Sequence, residues 1–482
     1  MLILTTILIY FCVLMVMGRV TSRKSTNDTF YRGERKSPWY MLALGLVGAS
    51  ISGITFVSVP GMVIRQDMTY LQTCLGFIVG YFVVAFVLLP VYYRLNLTTI
   101  YTYLQKRLGR RSYKTGALFF LLSEMTGTAL RFYVVCSILQ RFVFGQAGIP
   151  FGVTVVLLVL LIWLYTRRGG IKTLVWTDTF QTICMMAALL IIIAEVVGKL
   201  DMTMGEAFSA VMADSHSRIF VFDDFVSTQN FFKQFISGVF IVVVMTGLDQ
   251  HMMQKNLTCK TLRDAQKDMC VGGFFFVPVN FLFLALGVLL MMLAAKEGMA
   301  IPADSDELLP MFAASGWMGN LVLVLFSIGI VAASFSGTDS ALTAVTTSFC
   351  VDIKERPTDE RLRRVAHLGV CALFALFILM FRVINSTSVI DAIYIVLSYT
   401  SGPLLGLFSF GILTRSRVND KLVPYICVAS PLICFAVDQL TTHLTGYKFG
   451  YELLLLNGIL VFIGLFFTCL LYTSPSPRDR TR

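Results

Sequence analysis

The chain has 482 residues, of which 56% are hydrophobic, 13% aromatic and 14% charged, with a formal net charge of +11. A composition so poor in charge excludes a string of soluble domains and places the chain in the polytopic membrane class. The positive balance sets loop orientation rather than binding to nucleic acid, because basic residues crowd alternate loops. Six lie in 19–36, six in 94–114 and five in 354–364, against eight on all the opposite loops together. By the positive-inside rule the N-terminus is outside and the last span ends inside.

Taken in chain order, apolar stretches predict helices over about 2–20, 39–64, 70–93, 116–144, 152–165, 174–197, 231–253, 269–295, 319–349, 365–381, 390–413, 422–440 and 451–471. That is an all-α integral membrane protein of about 13 transmembrane helices in one polytopic membrane domain, 1–468. The first stretch has no basic region before it and no small-residue cleavage site after it, so it reads as a retained span. Eleven cysteines are scattered without close pairs and read as small apolar residues. The four histidines, His216, His251, His367 and His443, show no metal-ligand spacing. From Cys469 the composition changes abruptly, and 469–482 reads as a non-native tail resembling translated adapter sequence.

Two of these helices look broken. The second carries three glycines and several hydroxyls in Gly45–Phe56, and the seventh has glycines at Ser237-Gly238 and Thr246-Gly247. Small residues can simply permit close packing. Alternatively, unwound backbone releases carbonyls for a cation while half-helix ends face a solute. The ninth carries Ser334, Ser336, Thr338, Asp339 and Ser340 through an apolar stretch. Oxygen atoms and a carboxylate without sulfur or imidazole suit a hard cation. Asp178, near a basic loop, is open to two readings, a salt bridge with Lys172 or Arg168 or a functional carboxylate. Arg131 is likewise either paired with Glu124, seven residues earlier on one helical face, or an anion-binding group. The segment KNLTCKTLRDAQK reads as an amphipathic connector whose basic residues serve orientation, and the phenylalanine-rich stretches as lipid-facing surface.

GASISGITF, GGIKTLVWTD, GLDQHMMQKNLTCKTLRDAQK and SFSGTDSAL together resemble the sodium:solute symporters, from about Leu2 to Phe467. The resemblance implies a LeuT-type fold: an extra N-terminal helix over 1–20, a 5+5 inverted repeat over 38–198 and 228–414, and two C-terminal helices over 421–468. It implies one sodium held by the carbonyls of Gly48, Ile51 and Ala333 and the hydroxyl of Ser336. Gly337 stands where the family commonly has Ser or Thr, so one ligand is lost, which leaves a site either weaker or completed by Thr338 or water. A second sodium is implied at Asp178 with Ser336, Asp339 and Ser340, and two cations with one anion would make the cycle electrogenic. Sodium-coupled sialic acid transporters resemble this chain in placing an arginine at the position of Arg131. Ser50, Ser52, Thr55 and Gln72 would then bond the solute, and Met68 with nearby aromatics would close the outer side.

The resulting expectation is a symporter, not an enzyme, since no nucleophile with a base or metal cluster occurs at useful spacing. Its cofactor is Na⁺ alone and its partners are a small-molecule substrate, sodium and the lipid bilayer, with no nucleic acid. It is expected as a monomer, multi-pass in a bacterial inner membrane. The solute expected is a sugar acid such as N-acetylneuraminate; the alternatives are a neutral sugar, a monocarboxylate or an amino acid such as proline. A sodium channel or receptor-like binding protein is the reading from another class.

Overall fold

The computed structural model describes the chain except for residues 1, 23–24, 146–147, 226, 314–316, 385–388, 446–448, 451 and 474–482. Its principal helices are α1 (Leu2–Thr21), α2 (Trp39–Ser50), α3 (Gly53–Gln66), α4 (Tyr70–Arg94), α5 (Arg110–Leu139), α6 (Phe151–Gly169), α7 (Ile171–Lys199) and α8 (Phe231–Val242). They continue as α9 (Gln250–Asn256), α10 (Leu262–Lys296), α11 (Asn320–Ile353), α12 (Glu360–Ile384), α13 (Val389–Leu413), α14 (Val423–Thr445) and α15 (Leu453–Thr473). Among the described residues nine helices are long and apolar enough to span a bilayer. Two further pairs, α2 with α3 and the helix from Phe231 to Gly247 with α9, pass that test only together, bent by 54° and 68°.

Both bends have local causes. At the first, Ile51 leaves helical space at φ −92°, ψ 90°. The chain restarts where the Ser52 hydroxyl accepts the Thr55 N–H at 3.4 Å, an N-cap that offsets the loss of intrahelical acceptors. At the second, Asp249 caps α9 by accepting the His251 N–H at 2.7 Å. The break in the seventh span therefore falls after Gly247. Ser237-Gly238 stays helical, and there the glycine serves packing: a Cβ on Gly238 would lie 2.3 Å from the Thr73 carbonyl oxygen.

The centre of the molecule is α11, buried almost without interruption from Gly329 to Ser348, with α7, α5 and the α2/α3 break packed around it. That burial explains how a hydroxyl-rich segment crosses an apolar interior: it faces protein, not lipid. The lipid-facing surface is built instead from side chains such as Phe82, Phe86, Phe274 and Phe275, all exposed. At the C-terminal end α15 runs through Thr473, so 469–473 continue the last helix and Cys469 is buried, whereas the rest of the expected tail, 474–482, lies outside the described residues.

Candidate functional site

The first break packs directly on α11. A Cβ on Gly53 would lie 2.0 Å from Ser334 Oγ, and one on Gly337 would lie 3.8 Å from the Ala49 carbonyl oxygen. Gly48 meets α7 as closely, its Cβ position being 1.8 Å from Thr182 Oγ1. Because the helix stops at Ile51, the carbonyls at the end of α2, Gly48 among them, lose the donors a continuing helix would supply. Among the described residues no side chain donates to the carbonyls of Gly48, Ala49, Ser50 or Ile51. The second break differs. There Tyr92 Oη donates to the Gly247 carbonyl at 2.8 Å and Tyr101 Oη to the Leu248 carbonyl at 3.0 Å. The second break is stitched by side-chain donors, and the first, among the described residues, is not.

The residues expected to hold sodium gather there. Ile51, Ala333 and Ser336 are buried, Gly337 faces the break at the Ala49 carbonyl, and Gly48 packs on Thr182 of α7. Thr338, one expected replacement for the ligand lost at Gly337, donates its hydroxyl to the Ser334 carbonyl at 2.8 Å, along its own helix. Asp178 on α7 is almost fully buried. Its Oδ1 accepts from Ser336 Oγ at 3.1 Å and its Oδ2 from Ser340 Oγ at 3.4 Å. Asp339 accepts from Tyr165 Oη at 2.6 Å and from Ser340 Oγ at 3.2 Å. Ser340 has one hydroxyl proton for two carboxylates, so it donates to only one of them at a time. One turn beyond Asp178, the fully buried Gln181 amide lies beside the Tyr10 hydroxyl of α1.

Neither interfacial partner considered for Asp178 is the one it has. Lys172 pairs with Glu34 at 3.1 Å, and this bond to the ammonium holds the Glu34 carboxyl below its usual range. Asp178 instead faces Lys255, with Nζ 2.6 Å from Oδ2 and both side chains over nine-tenths buried. The contact is an ion pair rather than an aligned hydrogen bond. Lys255 belongs to the segment read as a surface connector; it closes α9, deep inside the protein.

Beside this polar core opens a cavity lined by Ser50, Ser52 and Thr55 of the break, by Ser123, Thr128 and Arg131 of α5, and by Phe77, Tyr81 and Phe276. Arg131 has no carboxylate within ion-pair distance among the described residues. Its expected partner Glu124 lies in the same wall but is bound by His251 Nδ1 at 3.1 Å and Thr128 Oγ1 at 3.0 Å. Glu124, Asp249 and His251 bring ligand atoms within 4.8 Å of one another, a juxtaposition that sequence spacing could not show because Glu124 lies on α5. The His251 Nε2 atom is buried and has no partner among the described residues.

Two expected residues lie elsewhere. Gln72 is outside the cavity lining: its amide donates to the Gln229 carbonyl at 2.9 Å and accepts the Val221 N–H at 3.0 Å, pinning the loop before α8. Met68 is fully buried and its N–H bonds the Arg218 carbonyl at 3.1 Å, so it packs, while Met62 and Tyr70 line that side of the cavity.

A broken helix against an oxygen-lined central helix, with an adjoining polar cavity, defines a cation-coupled transporter of the LeuT-type fold. The chain belongs to the sodium:solute symporter family, whose profile matches residues 30–421. Among relatives, the human sodium/iodide cotransporter is 25% identical over 82% of this chain, which spans 62% of that protein's length. The sodium/sialic acid symporter SiaT of Proteus mirabilis (strain HI4320) is 24% identical over 87% of this chain and 86% of its own. In fold, the substrate-bound outward-open structure of a Na⁺-coupled sialic acid symporter matches with a TM-score of 0.81 at 20% identity, covering 98% of each chain. The nucleobase-cation-symport-1 transporter Mhp1 matches at 0.60 and 15% identity, over 95% of this chain and 97% of that one.

Proposed function

We propose that this protein imports a small carboxylate-bearing solute by sodium-coupled alternating access, with a sugar acid of the N-acetylneuraminate type as substrate. The observation that carries the reading is Arg131, a cavity guanidinium that among the described residues has no carboxylate within ion-pair distance, while its neighbour Glu124 is engaged by His251. A guanidinium presents paired donors that match a carboxylate. The hydroxyls of Ser50, Ser52 and Thr55 across the same cavity supply partners for the hydroxyl and acetamido groups of a sugar acid. The names of the relatives support an anion, since sialic acid, iodide and monocarboxylates all carry negative charge.

The sodium that drives the cycle is held in this reading by Gly48, Ile51, Ala333 and Ser336. Each net charge moved inward gains roughly 2.3 kcal/mol per 100 mV of membrane potential. The protein works as a monomer in a bacterial inner membrane, its N-terminus outside and its basic loops cytoplasmic, and takes no nucleic acid. The crowding of basic residues on alternate loops supports that orientation.

Reconstituted protein in sealed vesicles is the test. An imposed inward sodium gradient drives accumulation of labelled N-acetylneuraminate, with competition by other sugar acids and none by neutral sugars or proline. Counterflow of labelled solute separates a carrier from a channel or receptor. Arg131→Ala weakens apparent affinity by about 1.5–3 kcal/mol, roughly ten- to a hundredfold. Unchanged affinity for the acidic solute would refute the assignment of Arg131.

A further inference from the structure

We infer that Lys255 is a tethered cation that takes the place of a second sodium at Asp178, so that the protein couples to one sodium ion per cycle. The inference rests on the sodium-coupled reading above and fixes its ion count.

Asp178, Ser336, Asp339 and Ser340 supply the oxygen atoms that a second sodium would need, and the structure puts an ammonium among them. Lys255 Nζ stands 2.6 Å from Asp178 Oδ2, and the two side chains are 7% and 1% exposed. The other carboxylate oxygen is held by Ser336, and both oxygens of Asp339 have hydroxyl donors in Tyr165 and Ser340. A sodium ion bound at Asp178 Oδ2 would have to stand where the lysine nitrogen lies, 2.6 Å from that oxygen, and two cations so close repel strongly. The two cations are therefore mutually exclusive.

The lysine is also held in place. Gln254 Nε2 donates to the Tyr31 carbonyl at 2.9 Å and to Thr347 Oγ1 at 3.0 Å, and Asn256 Nδ2 donates to Asp268 Oδ2 at 2.6 Å. Residues on both sides of Lys255 thus fix α9 in register, and the N-cap at Asp249 fixes its start. A side chain that merely oriented a loop would be solvated; this one is buried and aimed at a carboxylate. Because the ammonium stays with the protein, it neutralises Asp178 without adding to the charge delivered. Uptake of a monoanion with one sodium is then electroneutral, in contrast to the electrogenic cycle that a second sodium would give.

The test begins with sodium alone, so that an error in the solute leaves it intact. Thermal stability of purified protein is titrated with NaCl against choline chloride at constant ionic strength. The wild type should give a Hill coefficient of about one, Lys255→Met should raise it toward about two, and Lys255→Arg should keep it near about one. The double variant Asp178→Asn with Lys255→Met should return it to about one. A wild-type coefficient near two, or a folded Lys255→Met protein that stays near one, overturns the proposal. Should Lys255→Met alone not fold, radiosodium bound per chain decides between wild type and the double variant. Equal counts support the proposal, and one fewer ion on the double variant overturns it. In vesicles, uptake by the wild type should ignore an imposed membrane potential, and uptake by Lys255→Met should respond to it.

Discussion

At the scale of the residue, Gly48 shows why the polar core admits so little change. Its missing side chain lets the Thr182 hydroxyl sit where a Cβ would be, and that hydroxyl in turn donates to the Asp178 carbonyl at 2.7 Å. Gly48→Ala must push α2 from α7, which costs about 1–3 kcal/mol as an overpacked core substitution. The shift should also displace the carbonyl offered to sodium. Lower melting temperature with weaker sodium stabilisation is the expected result, and unchanged values of both would show that the contact is not tight. Asp178, Ser336 and Arg131 were legible in the sequence because each is a polar group stranded in an apolar stretch. Lys255 and His251 were not, because their meaning lies in partners on α7 and α5. A lysine in a basic segment reads as surface until the fold shows it buried. Gln72 gave the opposite error: a buried amide near a cavity draws a ligand role, yet its bonding capacity is used by Val221 and Gln229.

At the scale of the element, the two broken spans solve one physical problem in two ways. A helix that stops inside the membrane exposes carbonyls that must find donors or cations. Tyr92 and Tyr101 supply donors at the second break, and both rings are fully buried. Tyr101→Phe leaves the Leu248 carbonyl without that bond in a dry site and should cost about 1–3 kcal/mol, read as a lower melting temperature. Sodium dependence should be unaffected, since the change lies at the break that carries no ion. A shifted sodium titration would mean that the two breaks are coupled more tightly than their separate bonding implies. Glycine content located both breaks to within a turn or so but could not separate a break from a packing contact. Gly247 marks the bend and Gly238 a close approach to Thr73, and only the neighbour at each position tells them apart.

At the scale of the whole molecule, the proposed ion position joins elements distant in sequence: the end of α2, near the start of the first expected repeat, and the middle of α11, within the second. A cation there favours the arrangement in which the break and α11 stay together. The same arrangement shapes the cavity, because Ser50, Ser52 and Thr55 line it from the residues flanking the ion position. Sodium and solute therefore act on one equilibrium, and their effects on each other's affinity must be equal. Saturating sodium at about 100 times its dissociation constant should stabilise the fold by roughly 2.7 kcal/mol. A sugar acid should add a further shift in sodium and a much smaller one in choline, and sodium should bind more tightly when the solute is present. Measured by thermal shift, the two coupling factors should agree. Equal solute-induced shifts in sodium and choline would mean that the cavity forms without the ion, and that the α2/α3 break does not link the two sites.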